Sequence, residues 1–412
     1  MELMTKYQYT YFIYPYVIDS RKYNKYMLKL LKNKKCTLRI FEREKDMHLY
    51  HYFLPEIRDN IFWSFGLTNE GIKNFKSLDA TMQANLLAKH ECNIFGYNLG
   101  QDLQGKVGEK NGIFFSISEI KIVCFKTGIC FLLFKTNLQE DNNFSNILNF
   151  NYKFREINSK TYNLKEYENI KIQSDIFKDI KEISSLIKEI TGGNSSSQKI
   201  NIDNEKFIVY SYSCLDQNCW NENGENESIK TEFIKYRNVF PESKQVAEEL
   251  GRMEEKEIYL NKYAKYGLSS TSTVLLASDI NTENYTTVAQ KFESEYLYTY
   301  ILELYKKYLL NKLNHRFNKT EDFKKVENEF LKFIKNLWIQ DITNDDFGKT
   351  LIKKWENILD IEETFVKLKS KYDVLYKKHN VESSNKNNKV ILAVIGVVIV
   401  INIISIILTI LK

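Results

Sequence analysis

The residue pattern predicts an α+β protein. A mixed α/β domain is expected over residues 1–242, a helical bundle or coiled-coil stalk over 243–379, a polar linker at 380–389 and one transmembrane helix at 390–411. Three observations lead there. Short runs rich in β-branched and aromatic residues alternate with period two in the first half. Large apolar residues then recur at helical spacing. Finally, Val390 to Leu411 is 22 residues without a charge.

In the first half, YTYFIYPYVI (Tyr9 to Ile18) reads as a strand ended near Pro15. KCTLRIFER from Cys36 places Leu38 and Ile40 on one face of a second. The clearest hairpin joins Ile120–Phe125 to Ile129–Phe134 through Lys126-Thr127-Gly128. KFIVYSYSCL from Lys206 is a further strand, flanked by the loops TGGNSSSQK and DQNCWNENGENES.

From about Ser243 the expected pattern is helical. Phe292, Tyr296, Tyr300, Leu304 and Tyr308 recur every four residues, and Leu297, Ile301, Tyr305 and Leu309 widen the stripe. A cap at Thr320, with Glu321 and Asp322 in the first turn, opens a helix carrying Phe323, Val326, Phe330, Phe333, Ile334 and Leu337. A third, from near Asn344, alternates threes and fours through Leu351, Trp355, Ile358, Phe365, Leu368, Tyr372 and Leu375, the spacing of a coiled-coil seam. NVESSNKNNK then links it to the terminal segment.

At 1.5 Å per residue that segment would be roughly 33 Å long, enough for a bilayer core of ~30 Å. Lys377, Lys378, Lys386 and Lys389 precede it and only Lys412 follows. The expected placement is therefore single-pass in the cell membrane with the bulk in the cytoplasm. Met1 to Asp19 carries no cleavable signal pattern. Asn402, Ser405 and Thr409 share one stripe of the segment, expected to line a pore or a self-association face, while Ala393 and Gly396 permit close approach on another.

The aromatic content of 14% supplies large core side chains and excludes disorder for most of the chain. A net charge of +6 arises from 59 bases against 53 acids, so no concentrated basic arm is expected and nucleic acid is not an expected partner. Six cysteines without a CxxC pair suit reduced packing thiols.

No enzymatic site, cofactor or metal is expected. GQDLQGKV from Gly100 has phosphate-loop spacing, but Val107 stands where a hydroxyl must hold magnesium, and VGEKNG cannot open the following helix. Glu44, His48 and His51 would share a face if helical, and His90 with Cys92 is weaker; packing histidines are the plainer reading. TGGNSSS and YGLSSTS lack the strand-turn-helix context of a nucleophile elbow, and Tyr266 to Thr271 is expected to cap a neighbouring helix. Aromatic residues around the TGIC turn or the YGLSS segment are the places where a ligand pocket would form.

YFIYPY, FKTGICFLLF from Phe125, NFNYKFREI from Asn149, KYGLSSTSTVLL, YLYTYILELYKKYLLNKL and FIKNLWIQDITNDDFGKTLIKKW together resemble divergent CorA-like membrane proteins of bacteria. The resemblance implies an α/β domain, a long helix running to the lipid bilayer and a ring-like homo-oligomer, commonly a pentamer. It also implies kinship with anti-phage effectors, including those of type III CRISPR systems, that bind a nucleotide-derived messenger and permeabilise the membrane. The chain departs from the transporters in having one candidate spanning helix instead of two and no Gly-Met-Asn pore motif.

The expected function is thus a membrane-anchored homo-oligomeric effector that senses a small signal. The alternatives are a tail-anchored scaffold recruiting a protein through its helical face, and a divalent-cation channel.

Overall fold

The computed structural model describes residues 2–100, 103–108, 112–138, 143–157, 170–175, 179–193, 205–220, 227–246, 256–318, 323–336, 338 and 341–410, the last stretch from 398 as backbone only. Its strands are β1 (Thr5–Val17), β2 (Cys36–Leu38), β3 (Cys92–Tyr97), β4 (Gln104–Val107), β5 (Ile113–Phe125), β6 (Ile129–Leu138), β7 (Lys171–Gln173), β8 (Lys181–Glu182), β9 (Ile208–Leu215), β10 (Glu257–Asn261), β11 (Ala264–Leu268) and β12 (Ser272–Ser278). Its helices are α1 (Tyr23–Lys32), α2 (Met47–Tyr52), α3 (Pro55–Ile61), α4 (Asn69–Ser77), α5 (Ala80–Leu87), α6 (Phe144–Arg155), α7 (Ile183–Thr191), α8 (Glu227–Asn238), α9 (Thr287–Lys291), α10 (Leu297–Asn318), α11 (Phe323–Asn336), α12 (Asp346–Ile358) and α13 (Ile361–Ile410).

All the strands belong to one sheet ordered β10-β11-β12-β9-β1-β6-β5-β4-β7-β8, with β3 on the second half of β5 and β2 beside it. The period-two alternation of β1 builds two cores. Tyr9, Tyr11 and Ile13 face α2, α3 and the helices after residue 287, whereas Phe12, Tyr14 and Tyr16 face α1 and α4–α8. The molecule is thus a three-layer sandwich. β1 runs through Pro15 because pairing with β9 stops at Ile13–Ile208, so one edge there has no ladder to interrupt. The β5–β6 hairpin has the expected turn, with Gly128 at φ +89°.

Two differences from the expected organisation stand out in the body of the molecule. Strands β10–β12 lie beyond residue 243 and join the same sheet, β12 running parallel to β9. Every residue of β12 is buried, so its sequence shows no alternation to betray a strand. The expected third helix is two, because Asp360 takes φ +54° between α12 and α13. Thr320, Glu321, Asp322 and Leu337 lie outside the described residues.

The end of the chain requires the largest correction. Among the described residues no helix is long and apolar enough to cross a membrane. That finding overturns the transmembrane part of the expected fold class and the single-pass placement in the cell membrane. The run from Val390 is the continuation of α13, a 50-residue helix whose first part is charged and packed on the body. The expected linker at 380–389 is helical because it contains neither Gly nor Pro to interrupt the backbone ladder. The side chains of Asn402, Ser405 and Thr409 lie outside the described residues.

Between α9 and α10 the backbone makes a π turn, Phe292–Tyr296. Tyrosines of the sheet hold this region from below. Tyr9 O–H donates to the Ala289 carbonyl at 2.6 Å, and Tyr210 O–H to that of Phe292 at 2.8 Å, while the Tyr210 and Phe292 rings stack with centroids 4.0 Å apart. Replacing Tyr210 by Phe keeps the stack but removes a hydrogen bond to a buried carbonyl. Urea unfolding should show a loss of about 1–2 kcal/mol.

Candidate functional site

The segment from Arg21 to Lys35 contains Arg21, Lys22, Lys25, Lys29, Lys32, Lys34 and Lys35 and no acid. Within it Tyr23, Tyr26, Met27 and Leu30 are buried against the sheet and define the inner face of α1. Helical geometry then forces Lys22, Lys25, Lys29 and Lys32, spaced three, four and three apart, onto the outer face. All four are exposed.

These lysines border a groove of about 450 Å³ whose floor is Ile18, Tyr26 and Leu28. Among the described residues, no carboxylate forms an ion pair with Lys25, Lys29 or Lys32. Asp19, at one end, is already engaged: Arg21 Nε and Nη2 donate to its two oxygens at 3.0 and 2.9 Å, and the Arg21 backbone N–H adds a bond at 3.1 Å. Those bonds from the Arg21 side chain, foremost, hold the Asp19 carboxyl below its ordinary range. The groove is therefore a cationic rim over an apolar floor, with lysine methylenes extending the apolar part.

The groove adjoins the TGIC turn. Ile18 N–H donates to the Gly128 carbonyl at 2.8 Å, and a Cβ on Gly128 would meet the Ile18 carbonyl oxygen at 2.3 Å. On the other side of the turn, the Lys312 ammonium on α10 donates to the Thr127 carbonyl. Burial, the largest influence on Lys312, pushes its pKa down. Further along α10, Asn314 and Asn318 accept from Lys371 of α13, the first at 3.2 Å. A continuous run of packed and hydrogen-bonded groups thus joins the groove wall to the long helix. Gly128→Val, which combines a positive φ with a backbone clash, should cost about 2–4 kcal/mol in thermal or urea unfolding.

The other sequence candidates sort by geometry. Gly105, Lys106 and Val107 lie in β4, and the next described element is β5, so the phosphate-loop spacing belongs to a strand. His48 and His51 sit on α2, but His51 packs edge-on to Tyr50, and no group of His, Cys, Asp or Glu among the described residues is arranged to hold a metal. His90 stacks on Trp63 at 4.2 Å, and burial lowers its pKa. Tyr266, Gly267 and Leu268 of YGLSS end β11, and Ser269 to Thr271 make the β11–β12 turn. There Ser269 and Ser272 hydroxyls lie 2.6 Å apart and Ser272 donates to the Arg237 carbonyl near the end of α8, a helix-capping role. Asn194 to Ser197 of TGGNSSS lie outside the described residues.

Reading net charge over the whole chain concealed the groove lysines. The readable signal was local: seven cations in the fifteen residues from Arg21 to Lys35, with the lysines on one helical stripe. Comparison with family models, curated proteins and solved structures returns no match.

Proposed function

We propose that the protein is a non-enzymatic, signal-responsive effector that works as a homo-oligomer. In this reading the α1 groove binds a nucleotide-derived, phosphate-bearing ligand, and the bound state is passed through α10 to α13. One observation carries it: Lys25, Lys29 and Lys32, which have no carboxylate partner among the described residues, line an apolar groove that abuts the turn gripped by Lys312. Lysine ammonium groups suit phosphate as point charges, and the apolar floor suits a base. The resemblance to CorA-like effectors points to the same ligand class.

Transmission requires the ligand to bind two arrangements of α10 and α13 with different affinity. The contiguity of Ile18, Gly128, Lys312 and Lys371 supplies a physical route for that difference.

The test is thermal unfolding of the full chain against cyclic oligonucleotides, adenylated conjugates and divalent metals. A ligand present at about 100 times its Kd should add roughly 2.7 kcal/mol. Stabilisation by a phosphate-bearing nucleotide, with a change in oligomeric state by light scattering, is the expected result. Stabilisation by metal alone would replace the nucleotide with a cation as the ligand and overturn the phosphate-binding reading of the groove. Silence across the panel would favour a protein-recruiting scaffold, for which Leu331 and Ile334 on α11 and Val366, Val374 and Val381 on α13 are exposed apolar contacts.

A further inference from the structure

A second cavity, of about 630 Å³, opens where the start of β1 meets the π turn. Its walls include the half-exposed rings of Tyr7 and Tyr285, the side chains of Thr286 and Gln290, and the Glu293 carboxylate. Glu293 belongs to the π turn itself, a backbone irregularity that recurs at functional sites.

The carboxylate is held from behind and open in front. Its Oε1 accepts from Lys135 Nζ at 2.5 Å and from Tyr11 O–H at 3.4 Å. Oε2 has no partner among the described residues, and the side chain is 30% exposed at the cavity. Tyr11 O–H also lies 3.2 Å from Glu119, which Lys121 neutralises at 2.9 Å, so both carboxylates on this sheet face have fixed cations beneath them. Lys6, the cation lining the cavity among the described residues, is engaged by Asp279 at 3.2 Å and sits in the field of Asp216. What the cavity offers a ligand is therefore one carboxylate oxygen, two aromatic rings, the threonines Thr286 and Thr287 and the amide of Gln290.

That set matches an organic cation. We infer that this cavity binds a small primary amine or guanidinium compound, its charged end on Glu293 Oε2 and its body between Tyr7 and Tyr285. Carboxylate supplies a charge-assisted hydrogen bond, and tyrosine faces attract cations through their quadrupole. An anion would meet the carboxylate and the negative ring faces. The site is separate from the α1 groove in both position and charge.

Isothermal titration of the full chain with putrescine and with agmatine tests this, 1,4-butanediol serving as the uncharged counterpart of putrescine. Saturable binding of the amines is expected, at least about tenfold tighter than that of the diol. Glu293→Gln should weaken agmatine about tenfold, since the charge-assisted bond becomes a neutral one. It also removes the counter-ion of Lys135, so Tyr285→Ala, a change at the rim, is the second variant, expected to weaken binding severalfold. Lys25→Glu should leave amine binding unchanged. Failure of either amine to bind above the diol, or equal binding by wild type and both variants, would overturn the assignment.

Discussion

Reversing the charge of Lys25 and Lys29 together is expected to weaken binding of a phosphate-bearing nucleotide by about 2–3 kcal/mol, roughly 30- to 150-fold in Kd. Each substitution replaces an attraction with a repulsion at the rim of a groove whose other lysines remain. The gap between variant and wild type should narrow toward 1 M salt, where the screening length falls to about 3 Å. Stability should change by no more than about 0.5 kcal/mol, because both side chains are exposed and form no ion pair among the described residues. Titration calorimetry at low and high salt reads all of this. A double variant that binds as wild type would remove the groove from the function.

The second large effect lies where α10 meets α12. Glu303 and Lys306 on α10 are almost completely buried and paired at 2.8 Å, with Glu356 of α12 on the same ammonium at 3.3 Å. Burial, opposed by Lys306, pushes the Glu303 carboxyl up to about 7, and its Oε2 has no hydrogen-bond partner among the described residues. Burial works to discharge Lys306, but Glu303 and Glu356 overcome it and its pKa is raised.

The folded chain consequently keeps a proton on Glu303 between an ordinary pH of about 4.5 and about 7, where the unfolded chain has released it. The folded state binds more protons in that window, so this group's contribution to stability is present below it and is lost as pH rises through it, by about 3 kcal/mol in all. Glu303→Gln should flatten that part of the pH profile. Lys306→Met leaves the carboxylate without its main counter-ion, and at pH 8 should cost about 3–5 kcal/mol, less at pH 5 where Glu303 is protonated in either protein. Urea unfolding at the two pH values separates these outcomes, and a Glu303→Gln profile identical to wild type would refute the assignment.

The two networks share α10. Lys312, which touches the TGIC turn, and Lys306, which grips α12, lie on one helix that also meets α13 through Asn314 and Asn318. A ligand that shifts the groove wall therefore acts on the same rod whose other contacts depend on a buried ion pair.

Local periodicity alone determined much of this protein. Runs rich in aromatic and β-branched residues marked β1, β5, β6 and β9 as strands, and Gly128 marked the hairpin turn, because both signals are local to a few residues. The four-residue recurrence from Phe292 to Tyr308 specified a buried helical face, since residues three and four apart lie one above the other on a helix. Pairing between distant segments was decided only in three dimensions. β12 carries no alternation and was placed beside β9 by hydrogen bonds to a strand more than fifty residues away. The π turn exists where Tyr9 and Tyr210 reach up from remote strands. Likewise the continuous α13, the break at Asp360 and the open oxygen of Glu293 depend on what surrounds each residue. Sequence spacing states which side chains share a face, while the fold alone states what that face meets.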